Sequence, residues 1–221
     1  MADPMPDARL VGPRPRAADD GEAALVPPRS WPCPRLDVLS TLFRLHSEGL
    51  AARTFTGPVP AHDTMQDLLR WEQRSTRELR QYFDVHRWPG VRLVGEAGAE
   101  AAWWITMMCD RHTPFQRDAL GLLHEAVEAG DAPARHAAYL GDRLLMHEGE
   151  LQTHGTQWVL HEDGSISLYP VTDPSALAER RRAVGLPEAG MDSDVRLLSL
   201  TRRPRLEPPP HVRPAREGNL T

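Results

Sequence analysis

Between Ala138 and Trp158 the chain sets Tyr139, Asp142 and Arg143 at i, i+3 and i+4, then follows them with Gln152, His154, Gly155, Thr156 and Gln157. On a helix that spacing puts Tyr139, Asp142 and Arg143 on one face. Asp142 and Arg143 are neighbours, so they diverge by about 100° and each needs a partner other than the other. An arginine there could hold a carboxylate or phosphate bidentately. The aspartate could orient a hydroxyl or amine, or act as a base. A structural role is equally open, with Asp142 tying down the loop after Gly149 and Arg143 capping carbonyls. Gln152, Thr156 and Gln157 offer a neutral hydrogen-bonding wall, better at reading amides, hydroxyls or rings than at binding a metal. They could instead satisfy the backbone of an edge hairpin. In an extended backbone Gln152, His154 and Thr156 share a side and Gln157 faces away, unless Gly155 breaks the alternation.

Other chemistries find less support. Ten histidines are present, but His112, His124 and His136 fall on three different elements, and there is no HExxH or paired-cysteine pattern. His147, Glu148 and Glu150 gather at a helix end, where a cation also suits the dipole. No metal and no other cofactor is expected. Walker, GxGxxG and GxSxG motifs are missing, which disfavours nucleotide hydrolysis, a Rossmann cofactor and an α/β-hydrolase. Cys109 sits in an apolar run and reads as core rather than nucleophile.

The elements that must position these residues follow from periodicity. Leu36, Leu39, Leu42, Phe43 and Leu50 mark an amphipathic helix fading near Gly49–Arg53, and 54–61 reads as loop. Asp63 or Thr64 caps a helix to about Val85, whose mixed-charge outer face reads as solvated rather than as a binding surface. Gly95–Gly98 opens a nearly all-apolar helix from Ala99 to Cys109, expected to be central and buried. Thr113-Pro114 caps a helix to Ala129, and Asp131 with Pro133 caps the next, from Pro133 to about His147. After Gly149 the period becomes two. Thr156–His161 and Ser165–Val171 read as strands around an Asp163-Gly164 turn. Thr172-Asp173-Pro174 opens a last helix from Ser175 to Val184, and the apolar 195–200 stretch could pack back on the core. The fold class expected is mainly α, a single helical domain with a small antiparallel β-hairpin.

Proline sharpens the outline, because its 21 copies crowd before Pro34 and after Pro204. Residues 1–34 read as a flexible leader, 35–201 as one globular domain and 202–221 as a flexible Pro/Arg-rich tail. A net charge of −5 gives no reason to expect nucleic acid. No apolar run could span a bilayer, and no signal peptide is legible. Two cysteines make no disulfide framework. A cytoplasmic protein is the expectation, and the alanine, arginine and proline usage suits a high-GC bacterium.

From Trp88 to Leu186 the chain resembles a bacterial family catalogued as a domain of unknown function. The resemblance rests on Trp88-Pro89, Leu93-Val94-Gly95, Gly98, Ala101-Ala102-Trp103, Phe115-Gln116, Ala138-Tyr139-Leu140, Asp142-Arg143, Gly149, Gln152, Gly155-Thr156-Gln157, Asp173-Pro174, Arg181 and Val184-Gly185-Leu186. Two departures stand out. Met108-Cys109-Asp110 occupies the place of a family His-Ala-Asp, and His154 the place of a tyrosine. If the family histidine is an acid or base, His154 or His112 would have to replace it; otherwise this copy keeps a pocket without its chemistry.

The reading that follows is a cofactor-free enzyme acting on a small polar metabolite in specialised metabolism, by hydrolysis, cyclisation or elimination. Asp142 and His154 are the candidate acid–base residues and Arg143 the anion clamp. Gln116, Gln152 and Gln157 are orienting amides, with Tyr139, Thr156 and His112 as further binding residues. A small-molecule substrate is the expected partner, and a homodimer is left open. The alternative is a non-catalytic module that uses the same polar set to bind a ligand or partner.

Overall fold

The computed structural model describes residues 34–53, 62–161 and 165–188, all within one compact unit, Pro32–Thr221. The expected leader and tail, the 54–61 loop, the Asp163-Gly164 turn and the 195–200 stretch lie outside the described residues. Six helices and one hairpin make up the rest, so the fold is mainly α with a small antiparallel β element. No helix among the described residues is long and apolar enough to cross a membrane.

The apolar run forms the centre. α3, Val91–Met108, is buried continuously from Ala101 to Met108 and is contacted by α1 (Leu36–Arg53), α2 (His62–His86), α4 (Thr113–Glu128) and α5 (Ala134–Glu148). A helix apolar all round must be enclosed in this way. Leu42 and Leu45 of α1, Leu79 and Phe83 of α2, Phe115 and Leu123 of α4, and Leu140 of α5 close on it.

α3 begins well before Ala99. A first turn from Val91 is broken at Gly95, whose φ of 72° and ψ of 172° suit glycine alone. Asp131 serves this turn rather than α5: its carbonyl accepts from Val91 N at 2.9 Å and its Oδ1 from Arg92 N at 2.7 Å. Gly90 makes the approach possible, since a Cβ there would lie 2.3 Å from Asp131 Oδ2. Pro133 is left as the N-cap of α5. Thr113 does not cap α4 either; it lies inside the helix, and His112 is the N-cap, without a side-chain bond.

β1 (Trp158–Leu160) and β2 (Ile166–Leu168) pair antiparallel, Val159 opposite Ser167. Both are shorter than the alternation predicts. Thr156 N is diverted to the Asp142 side chain of α5 and Gln157 N to the Gln152 side chain, and beyond Tyr169 the chain meets Gln152 through a parallel bridge to Val171. Val159 and Tyr169 pack on Met146 of α5. A 3₁₀ turn, Pro174–Ala176, then leads into α6, Leu177–Ala183.

Gly49 shows how closely α1 seats. A Cβ there would stand 2.4 Å from Trp71 Cζ2 and 2.9 Å from Trp104 Cζ3. Trp71 cannot yield, because its Nε1 donates to Leu45 O at 2.7 Å. Alanine would gain up to about 1 kcal/mol of helix propensity, against an overpacking cost of about 1–3 kcal/mol. Gly49→Ala is therefore expected to lower the denaturation midpoint; a rise would show that the indoles can shift.

Candidate functional site

The polar face of α5 divides into two assemblies. In the first, Asp142 reaches across to 153–156. Its Oδ1 accepts from Thr153 N at 2.8 Å and His154 N at 3.1 Å. Its Oδ2 accepts from His154 N and Thr156 N, both at 3.1 Å, and from Thr156 Oγ1 at 3.0 Å. The carbonyls of the same segment face a cation: Arg181 Nη1 donates to His154 O at 2.8 Å and Gly155 O at 3.0 Å. A buried anion thus gathers the amides and a buried cation the carbonyls, which satisfies an irregular backbone that has no ladder of its own. Gly155, at φ 65°, breaks the alternation and brings Gln157 back toward Gln152. Gln152 Oε1 accepts from Gln157 N at 2.8 Å, and its Nε2 donates to Gln157 O and Tyr169 O.

The second assembly lies where α3 ends. Asp110 follows Cys109 directly and accepts both arms of the Arg143 fork, Nε to Oδ1 at 2.9 Å and Nη2 to Oδ2 at 3.0 Å. Arg143 Nη1 donates to Gln157 Oε1 at 2.9 Å, joining the two assemblies. His147, one turn further along α5, places Nε2 3.2 Å from Asp110 Oδ1. Gln116 of α4 is fully buried. Its Nε2 donates to Thr106 O at 3.1 Å and Met107 O at 3.2 Å, and lies 3.5 Å from Asp110 Oδ1. Burial pulls the Arg143 guanidinium down to about 10, so it stays charged at neutral pH.

Cations and helix ends complete the surroundings. Arg53, at the end of α1, donates to Gly49 O at 3.0 Å and Met108 O at 2.8 Å, and lies over the Trp71 ring at 4.4 Å. Two helix C-termini therefore offset its charge. Arg111 Nη1 meets the buried Glu72 at 3.1 Å. Burial pushes the Cys109 thiol up to about 12, which leaves it a core residue rather than a nucleophile.

The residues expected to form a site are thus partly brought together. Asp142, Thr156, Gln152, Gln157, Arg143 and Gln116 belong to one connected network, and Gln157 Nε2 reaches Tyr139 O at 3.5 Å. The Tyr139 ring meets the Trp103 edge, with centroids 5.5 Å apart. Asp142 and Arg143 take separate partners, as their 100° divergence requires. His154 enters through its backbone, since its Nδ1 stands 3.7 Å from Asp142 Oδ1, beyond hydrogen-bond reach. His112 likewise contributes backbone: its carbonyl accepts from Gln116 N. Asp110 and Arg181 were not among the candidates. Asp110 carried one signal, a lone carboxylate ending a wholly buried run, which must find a cation if it is buried too. A surface groove of about 530 Å³ between α2 and α4, lined by Arg80, Phe83, Arg87 and Glu125 among others, contains none of these residues.

His147 makes the second assembly sensitive to pH. Burial, and then the charge of Arg143, lower its imidazole from 6.5 to about 4. Between those values the unfolded chain binds a proton that the native ring refuses. Stability contributed by neutral His147 is therefore full above 6.5 and is lost as pH falls toward 4. Discounted for partial exposure, the effect is on the order of 2 kcal/mol. His147→Gln should flatten the slope of stability against pH in that window; an unchanged slope would assign it to other groups.

No curated protein and no solved structure matches the chain. A family model does, over residues 54–202, a span holding Asp110, Gln116, Asp142, Arg143, His147, Gln152, Gln157 and Arg181. With about two thirds of its length so matched, the chain belongs to the family of unknown function DUF6624.

Proposed function

We propose that this chain is a cofactor-free enzyme acting on a small polar metabolite by acid–base chemistry, with Asp110 and His147 as the working pair in place of Asp142 and His154. The contact that carries the reading is His147 Nε2 at 3.2 Å from Asp110 Oδ1, on a carboxylate that Arg143 fixes with two further bonds. In the tautomer that donates Nε2–H to Asp110, the carboxylate fixes the orientation of the ring. Asp110 would then orient the imidazole, and its carboxylate would oppose the burial and the Arg143 charge that disfavour the imidazolium when the ring takes a proton. Hydrolysis, cyclisation and elimination each need such a transfer. Of the pair, His147 is the more exposed, at 13% of its side chain. The setting this reading carries is a cytoplasmic bacterial protein of specialised metabolism.

One observation favours a non-catalytic binding module instead: the amides of Gln152 and the carboxylate of Asp142 are spent on the fold. The two readings part in a substrate-blind assay. Wild type and His147→Gln, both checked for an intact fold by circular dichroism, are incubated with a metabolite extract and followed by mass spectrometry. Acid–base catalysis predicts a species consumed by wild type and spared by the variant. Equal consumption by the two would remove His147 from the chemistry, and no consumption by either would leave the binding module.

A further inference from the structure

The groove of about 530 Å³ between α2 and α4 is built from two matching stripes. Arg80, Phe83, Asp84 and Arg87 of α2 stand at i, i+3, i+4 and i+7. Asp118, Gly121, Leu122 and Glu125 of α4 repeat that spacing, so each helix turns one face to the other. Ion pairs join the stripes at both ends, Arg80 to Asp118 at 3.2 Å and Arg87 to Glu125 at 2.5 Å. Between them Phe83 stacks on both Phe115 and Trp88, with centroids 5.5 and 5.6 Å away. Gly121 leaves the α4 wall open, since a Cβ there would meet nothing within 4 Å. Asp84 is exposed, and its carboxylate has no ion pair or side-chain hydrogen bond among the described residues. Both arginines are thus spent on acids, and the middle of the groove offers an apolar floor beside one free negative charge.

Such a surface fits a short extended segment that carries an arginine next to an apolar side chain, and the chain holds one. Residues 202–221 have five arginines and two glutamates, a charge of +3, where the other 201 residues sum to −8. They open with Arg202-Arg203-Pro204-Arg205-Leu206-Glu207-Pro208-Pro209-Pro210. Proline-rich sequence favours the polyproline II form, with three residues per turn, which aromatic-lined grooves recognise. In that form Arg203 and Leu206 share one edge, Arg202 and Arg205 the next, and Pro204 and Glu207 the third. Two edges therefore match the groove, and the third turns the glutamate away from Asp84. The stripe from Arg80 to Arg87 is about 10 Å long, room for roughly three to four residues in this form. Arg202 follows Glu188, the last described residue, by 14 positions. Extended, they reach up to about 46 Å, enough to cover most of the surface of a domain roughly 40 Å across. We infer that Arg202–Leu206 docks in the α2–α4 groove of its own chain, with Leu206 over Phe83 and Leu122 and Arg205 paired with Asp84. Covalent connection keeps the segment at an effective concentration on the order of millimolar, so a weak contact suffices. None of the groove residues belongs to the Asp110–His147 corner, and docking there is independent of the catalytic reading.

The test uses the full ¹⁵N-labelled chain, with backbone order at Arg205 and Leu206 and the amide shift of Gly121 followed by NMR at several chain concentrations. Wild type is compared with Asp84→Lys, and with a triple variant, Arg202→Glu, Arg203→Glu and Arg205→Glu, because one arginine could stand in for another. Asp84 is exposed and without a partner among the described residues, so its replacement leaves the fold intact. The expected result is an order parameter above about 0.6 at both tail residues in wild type, independent of concentration. Order should fall in either variant, with Gly121 moving the same way in both, and should return when the two reversals are combined. Low order in wild type would overturn the proposal. So would order that survives Asp84→Lys but not the arginine changes, which would seat the segment elsewhere. Order that grows with chain concentration would place it in a second copy and would equally defeat docking within one chain.

Discussion

Asp142→Asn is expected to destabilise the protein by about 3 kcal/mol or more, although the two side chains are nearly isosteric. Each oxygen of Asp142 already faces at least two donors: Thr153 N and His154 N at Oδ1, and His154 N, Thr156 N and Thr156 Oγ1 at Oδ2. Whichever way an asparagine turns, its NH₂ confronts donors where an acceptor is required. The loss should be local as well as global. Amide hydrogen exchange at Thr153, His154 and Thr156 should accelerate first, followed by Gln152 N and Tyr169 N, which bond Pro170 O and Gln157 O on either flank of the segment that Asp142 anchors. Denaturant unfolding and exchange together check this. If Asp142 is instead a catalytic base, stability will stay within about 1 kcal/mol of wild type while activity falls on the order of 10²-fold.

The legibility of this fold differs residue by residue. An unbroken apolar run from Ala101 to Met108 can only be an enclosed helix, so the centre was readable without any tertiary information. Caps were not, because a cap is read from its own neighbourhood in sequence. Asp131 stands two residues before Pro133 yet bonds Arg92 N, 39 positions back. The strands were overextended for a related reason. Alternation of residue types says nothing of a side chain such as Asp142 competing for the amides of Thr153, His154 and Thr156. Helical geometry correctly required separate partners for Asp142 and Arg143, but could not say which. The partner of Arg143 is Asp110, 33 residues away at the end of another helix, and only the packing of α3 on α5 brings the two together.

That pair carries the other large effect. Arg143→Met should cost about 3–5 kcal/mol, because Asp110 would be left as a buried carboxylate without its main counter-charge. Asp110→Asn should cost a comparable amount by stranding the buried guanidinium. The double variant should lose much less than the sum, since most of each single loss is the penalty of an unpaired charge rather than a missing attraction. Additive losses in the cycle would mean that the two side chains act independently, and would sink the pair as a unit. Arg143→Met carries a second signature that a mere packing defect would not produce. Burial and the Arg143 charge together hold His147 at about 4. Removing the cation and freeing Asp110 both favour the imidazolium, so the His147 titration followed by NMR should move upward toward 6.5 or beyond. The stability contributed by neutral His147 between pH 4 and 6.5 should shrink accordingly. A titration that stays near 4 in Arg143→Met would show that burial alone keeps the imidazole neutral, and that Asp110 and Arg143 do not set the protonation state of the ring proposed to move the proton.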